Sequence, residues 1–599
     1  MSKNHLPERK EIPTDLTWDL TLIYADAAEW KKDFQQLDEL QENFNRFRNQ
    51  LADSSAVLRD AIQALDALER LLEKLYTYAH LLHDEDTGNA EGKTLESRAA
   101  SRASEISAEC AWFEPELLAI DDEKMQSMLQ SDELAFYSES LRELLRAKKH
   151  TLSEKEERIL GALSDVLGAP DEIYEVMTDA DMRFPLIKDQ HGKKQELSHG
   201  SYRRFIESPD RKVRKRAFKA MFSSYKNIIH SCSATLDNTV KRHVVKARLR
   251  NYDSALAMAL FDDELPEALY TGLIESVHRS IPALTEYLEL RKKVLKLKKL
   301  DMFDLYNPLL KSVNTACTYE EAKTMVLEAL SVMGKEYTQI VKQAFDERWI
   351  DVMECRRKRS GAYSGGCYDT VPYILLNFNG TLNDVFTLAH EMGHSLHSYF
   401  SRRTQDFHYA DYPIFAAEIA STTNELLLHD YLMKKYANDK AMQITLLVHL
   451  IDEVRSCIYR QTMFAEFELD IHRLQENNTP LTAELLCENY RKLNDLYYGK
   501  AVSADELIQY EWARIPHFYY NFYVFKYATG LSAAMKFAQN ILSGDRTLLE
   551  KYYSFLKAGG SKPVLEILSD AGVDFIHGNV VDDALNNFSS MVRQLKKLL

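Results

Sequence analysis

Apolar residues recur every three to four positions along most of this chain, so helices are predicted almost throughout. Between Ala27 and about Asp84, Leu58, Leu65, Leu68, Leu71 and Leu72 form such a stripe with charges between them, the pattern of an amphipathic hairpin or bundle. The spacing continues over 95–114 and 123–145. It restarts at Leu152, where Ser153 precedes early acids as at a helix N-terminus, and runs on from Lys219 through Lys298 with interruptions at Asn251–Asp253 and Pro282. Upstream, Trp18 and Leu20 offer an apolar anchor for the first helices.

Two places depart from the helical period. Phe184, Leu186 and Ile187, followed by the polar stretch 189–194, predict a small strand pair. Tyr373–Asn379, bounded by Pro372 and Gly380, is the clearest strand candidate and leads into the next helix. At a sheet edge it would bind an extended peptide through its backbone. Helical spacing then returns over 416–433, 441–471, 482–498 and 511–539, and the chain ends on an apolar stripe over 588–599.

The helix predicted after that strand carries His390-Glu391-Met392-Gly393-His394. On a helix His390 and His394 lie one turn apart on one face and can turn imidazole nitrogens to a single divalent ion. Glu391 emerges about 100° away, placed to act on a water without taking a coordination position. In a chain with 18 histidines the pattern arises by chance about once in twenty such sequences, so further ligands must carry the assignment. A metzincin would continue with Gly at 397 and His at 400; this chain has His397 and Phe400. Glu418, on the following predicted helix, is the best third ligand, and Glu425 returns to the same face as an acceptor for a ligating imidazole. His397 shares the histidine stripe and is expected to support a ligand rather than to fill the fourth position; Asp384 and Asp411 are weaker supporting candidates. Two neutral imidazoles and one carboxylate suit one zinc ion per chain.

Length and composition narrow the remaining classes. A chain of 599 residues and 69.2 kDa exceeds one ordinary core, so two or more lobes are expected. A net charge of -16 argues against a general nucleic-acid surface, and the Arg211–Arg216 run reads as a solvated helix face. Seven scattered cysteines, an opening decapeptide without a signal-peptide core and no apolar run of spanning length point to the cytoplasm and away from membranes. Ser360–Gly366 lacks the lysine of a phosphate loop and reads as a substrate-facing loop; the preceding Arg356–Arg359 run is a candidate for attracting a peptide carboxylate, or an ordinary solvated run. Two alternatives stay open: a zinc exopeptidase, although many place the third Glu where this chain has Pro413, and a non-catalytic helical peptide-binding protein with a structural metal.

Ala389–His397 followed by Glu418–Glu425 resembles the M3 family of zinc oligopeptidases, its oligoendopeptidase F branch most closely. The resemblance extends to Lys358–Ser364, Asn377–Asn379 and Ile515–Gly530. It implies that His390, His394 and Glu418 hold zinc, that Glu391 is the general base, and that short unstructured oligopeptides are cleaved at internal bonds. It further implies a late histidine and tyrosines acting on the transition state, for which His517 and Tyr523, then Tyr520, are the matching residues. Were that segment helical, Tyr520, Tyr523 and Tyr527 would share a broad face. Gly361, Tyr363, Asn377 and Asn379 are substrate-binding candidates. The implied fold is mostly α: a two-lobed helical zincin with a deep substrate channel and a small β element at the active site, with 1–200 as an N-terminal helical lobe and 201–599 as the catalytic domain. Oligomeric state is not legible in the sequence.

Overall fold

The computed structural model describes residues 6–310 and 316–599; the first five residues of the opening decapeptide lie outside them. The described residues are mostly helical, 71%, and among them there are two small sheets. It forms two compact units interleaved along the sequence, one from Met1–Lys149, Thr315–Tyr431 and Phe537–Gly572, the other from His150–Asn314, Leu432–Lys536 and Val573–Leu599. Among the described residues no helix is long and apolar enough to cross a membrane.

In the first unit the predicted N-terminal bundle is present as helices Ala27–Asn45, Ser55–Asp84 and Ala90–Cys110. Asp26, Ser54 and Asn89 cap them by accepting backbone N–H groups of their first turns, and Trp30 Nε1 donates to the Leu75 carbonyl at 2.9 Å, fastening the first helix to the second. Their apolar faces close over a three-stranded sheet: Trp18, Leu20, Trp30, Leu68, Leu75 and Tyr78 share a buried cluster with Tyr373 and Leu375. The expected anchor is therefore real, with Trp18 edge-on to Tyr373 at 6.1 Å.

The sheet corrects one expectation. Tyr373–Phe378 is the central strand, parallel to Ile350–Met353 on one side and antiparallel to Tyr363–Gly365 on the other, so its backbone is already paired and cannot receive a peptide. The edges are Ile350–Met353 and Tyr363–Gly365. The run of consecutive apolar residues from Tyr373 to Leu376 is what a strand buried on both faces requires.

The second unit contains Arg211–Asn227, Ile229–Leu249, Glu267–Val294, Lys440–Val454, Gln461–Glu476, Ala483–Tyr498 and Val580–Leu598. Leu186–Lys188 and Lys194–Glu196 form the predicted strand pair. Pro282 lies inside Glu267–Val294 and does not end it, contrary to the expected interruption. The basic run at 211–216 is not wholly solvated either. Arg214 is buried and pairs with the buried Asp304 at 2.7 Å, and Arg211 reaches Asp301 and Asp304, so an acidic loop distant in sequence draws part of the run inward.

Candidate metal centre

The first unit places the histidine motif on a helix spanning Leu382–Thr404. Thr381 opens it with a capping box: Thr381 Oγ1 accepts from the Asp384 backbone N–H, and the Asp384 carboxylate accepts from the Thr381 backbone N–H at 2.8 Å. Such a cap contributes about 1 kcal/mol. Asp384, a supporting candidate in the sequence, thus serves the helix start. The buried stripe Val385, Phe386, Leu388, Ala389, Met392, Leu396 and Phe400 holds the helix in the core and leaves His390 and His394 half-buried on its flank.

A second helix, Ile414–Lys435, crosses it and brings Glu418 and Glu425 to the histidines. The crossing depends on Gly393. A Cβ there would stand 2.4 Å from Ser421 Cα and 2.7 Å from the Ala420 carbonyl, so only glycine admits this backbone approach. Asn424 pins the same crossing: its Nδ2 donates to the Ala389 carbonyl at 3.2 Å, and its Oδ1 accepts from the Tyr337 hydroxyl at 2.9 Å.

Three donor atoms meet at the crossing. His390 Nε2 and His394 Nε2 are 3.2 Å apart, and Glu418 Oε2 lies 3.4 Å from the first and 3.6 Å from the second. A point equidistant from the corners of that triangle is about 2.0 Å from each, the length of zinc–nitrogen and zinc–oxygen bonds, and tetrahedral ligands at such lengths stand about 3.3 Å apart. Among the described residues this is the one His/Cys/Asp/Glu group so arranged, and the donor set fits a divalent ion with one position left for solvent or substrate.

The electrostatics agree. Hydrogen bonds with His390 and His394 hold the Glu418 carboxyl well below the usual carboxylate range. Burial disfavours charge on His390, but hydrogen bonds to Glu418 and Glu425 outweigh it and push its pKa up to about 10. The carboxylates therefore stabilise positive charge at this point. Glu425 Oε1 is 2.6 Å from His390 Nδ1, which orients the ring with Nε2 toward the shared point. Glu391 is 6% exposed; burial raises its pKa while the two imidazoles oppose the shift, as suits a group that takes and returns a proton.

Other candidates fall elsewhere. His397 is buried between Tyr412, stacked at 3.6 Å, and Phe555, with burial lowering its pKa to about 3; it is not among the three converging donors. Asp411 is exposed, 3.8 Å from Arg402. Gly361 adopts φ +91°, which favours glycine, and its carbonyl accepts from Asn377 Nδ2 at 2.8 Å, as does that of Arg359 at 2.9 Å. Asn379 Nδ2 donates to the Asn377 carbonyl. The Tyr363 hydroxyl donates to Asp84 at 2.9 Å. The loop is tied down, and the edge strand it enters is fastened to the motif helix by Ser364 and Ser395, whose hydroxyls are 2.8 Å apart. The nearby basic run is engaged as well: Lys358 pairs with the buried Asp351 at 2.7 Å, Arg357 with Asp86 and Arg359 with Asp84.

The late residues form a cluster of their own in the second unit. His517 Nε2 is 3.2 Å from the Tyr527 hydroxyl, and its ring lies 5.6 Å from Tyr520 and 6.3 Å from Tyr523. Burial, then the positive charge of Arg460, lowers the His517 pKa and favours the neutral imidazole. The segment is not the single helix expected: 3-10 turns at Glu506–Arg514 and Pro516–Tyr519 are followed by left-handed Asn521 and Phe522, and the helix begins at Phe525. Asn424 and Gly393 escaped the sequence analysis. A lone amide among Ile419, Ala420 and Leu427, beside Glu425, was the available signal for the first.

Comparison with known proteins places the chain in a family. Residues 204–586 match the profile of peptidase family M3, and residues 116–184 match that of the oligopeptidase F N-terminal region. The chain is similar to oligopeptidase PepF of Bacillus subtilis, 41% identical over 100% of this chain and 89% of that one, and to an oligoendopeptidase F homolog of Lactococcus lactis, 42% identical over 100% and 99%. Among solved structures it is similar to oligoendopeptidase-F of Enterococcus faecium, with a TM-score of 0.73 and 36% identity over 96% of this chain and 99% of that one. With the histidine motif, the crossing carboxylate and a matched region covering most of its length, the chain belongs to peptidase family M3.

Proposed function

We propose that the protein is a zinc-dependent endopeptidase that hydrolyses internal bonds of short, unstructured oligopeptides in the cytoplasm. The observation that carries this reading is the triangle of His390 Nε2, His394 Nε2 and Glu418 Oε2 beside the buried Glu391. His390, His394 and Glu418 would hold one zinc ion, and zinc supplies Lewis acidity that makes water more acidic and polarises a carbonyl.

The chain's own groups do the rest. Glu391 takes a proton from the attacking water and passes it to the departing amine nitrogen, one carboxylate serving both transfers. Glu425 holds the His390 tautomer that leaves Nε2 unprotonated. His517, Tyr523 and Tyr520 supply N–H and O–H donors to the oxyanion formed at the scissile carbonyl. An extended peptide pairs with the edge strand Tyr363–Gly365, within the loop held by Gly361, Asn377 and Asn379. In this reading 1–200 is the N-terminal helical lobe and 201–599 the catalytic domain, and a deep substrate channel confines substrates to short peptides. The odd and widely scattered set of seven cysteines supports a reducing compartment.

An internally quenched peptide with both ends blocked tests the reading. Cleavage inside it, abolished by chelation and restored by zinc, is expected. Cleavage only when an end is unblocked would make the protein an exopeptidase, and binding without cleavage would make the metal structural.

A further inference from the structure

Asn521 and Phe522 adopt φ of +47° and +59°, consecutive left-handed residues with no glycine to relieve the strain. They lie between His517 and Tyr520 on one side and Tyr523 and Tyr527 on the other. The conformation therefore fixes how the two halves of the cluster face each other.

What holds it is a buried acid. The Phe522 backbone N–H donates to Glu468 Oε1 at 2.6 Å. The Phe522 ring lies 4.3 Å from the His472 imidazole and edge-on to Tyr270 at 5.6 Å. Glu468 and His472 stand one turn apart on Gln461–Glu476. His472 is itself fixed, with Nδ1 2.8 Å from the Glu468 carbonyl and Nε2 3.1 Å from His243 Nδ1. Glu468 is fully buried, and its Oε2 has no hydrogen-bond partner among the described residues. A carboxyl in that position is a costly way to fill space, and its one polar contact is the strained turn.

We propose that Glu468 is a positioning residue for peptide hydrolysis: by accepting the Phe522 N–H it holds the left-handed turn that sets His517 and Tyr520 against Tyr523 and Tyr527. This rests on the reading that the His517 cluster acts on substrate. Burial raises the Glu468 pKa to about 8, so near neutral pH the acceptor is the carbonyl oxygen of a neutral acid, which glutamine reproduces.

The test compares Glu468→Gln, Glu468→Leu and His517→Ala for kcat and KM on a quenched peptide, with zinc content measured alongside. Glu468→Leu is expected to lower kcat at least tenfold at unchanged zinc content, with Glu468→Gln within about twofold of the parent. Asn521→Gly in the Glu468→Leu background should recover part of the loss, because glycine takes the left-handed φ without strain. Equal losses in the Gln and Leu variants, or a parental kcat in Glu468→Leu beside an inactive His517→Ala, would overturn the proposal. A parental kcat in His517→Ala would instead remove the underlying reading of the cluster. Should Glu468→Leu not fold, Glu468→Asp, which withdraws the acceptor by one methylene, is read by the same criteria.

Discussion

Glu425 Oε1 stands 2.6 Å from His390 Nδ1, on the far side of the imidazole from the nitrogen that meets His394 and Glu418. A carboxylate in that position fixes tautomer and ring rotation together, and removing such a partner costs about 10- to 100-fold in metal affinity. Glu425→Ala is therefore expected to weaken zinc binding by that factor in a chelator-competition titration while the chain remains folded. Unchanged affinity would show that His390 is oriented by its helix alone.

Gly393 makes a different demand, on backbone space. With Ser421 Cα 2.4 Å from the position of a Cβ, Gly393→Ala must push apart the two helices that carry His390, His394 and Glu418. Overpacking of this kind costs about 1–3 kcal/mol. The variant should show both a lower melting temperature and weaker zinc binding, because the displacement moves Glu418 away from the histidines. A loss of stability with zinc affinity intact would separate the crossing from the site.

Glu391→Gln should abolish turnover and leave zinc content near that of the parent. The residue lies beside the ligand stripe without belonging to the donor triangle, so amide replacement removes the proton acceptor and spares coordination. Turnover at the parental rate, with metal bound, would transfer the base to another group.

Glu468 leads to a pH dependence of stability. Burial raises its folded-state pKa to about 8 from the ordinary 4.5, so between these values the folded chain holds a proton that the unfolded chain has released. Its contribution is fully present below about pH 4.5 and falls as pH rises toward 8, by up to about 1.4 kcal/mol per pH unit. Glu468→Gln keeps the acceptor and cannot ionise, so its melting temperature should decline less between pH 5 and pH 8 than that of the parent. Parallel declines would place the carboxyl in a less buried environment.

Much of the candidate metal site is legible in the sequence because it is local. One helix sets the His390–His394 spacing, and Glu418 and Glu425, seven residues apart, return to the same face of the following helix. Gly393 and Asn424 were not legible, since their roles exist only against a partner helix whose approach no periodicity reveals. The strand at 373–378 was placed but given the wrong station; its unbroken apolar run was the mark of a central strand. The late segment misled for a related reason. Asn521 and Phe522 carry no turn signal strong enough to break a helical pattern, and the acid that stabilises their conformation lies more than fifty residues away.

Zinc content of the purified chain, measured by elemental analysis for the parent, His390→Ala and Glu418→Ala, tests the shared-ion claim most directly. One zinc per parental chain, with both variants depleted under the same dialysis, is the predicted result. Full zinc occupancy in both variants would contradict a site built from His390, His394 and Glu418.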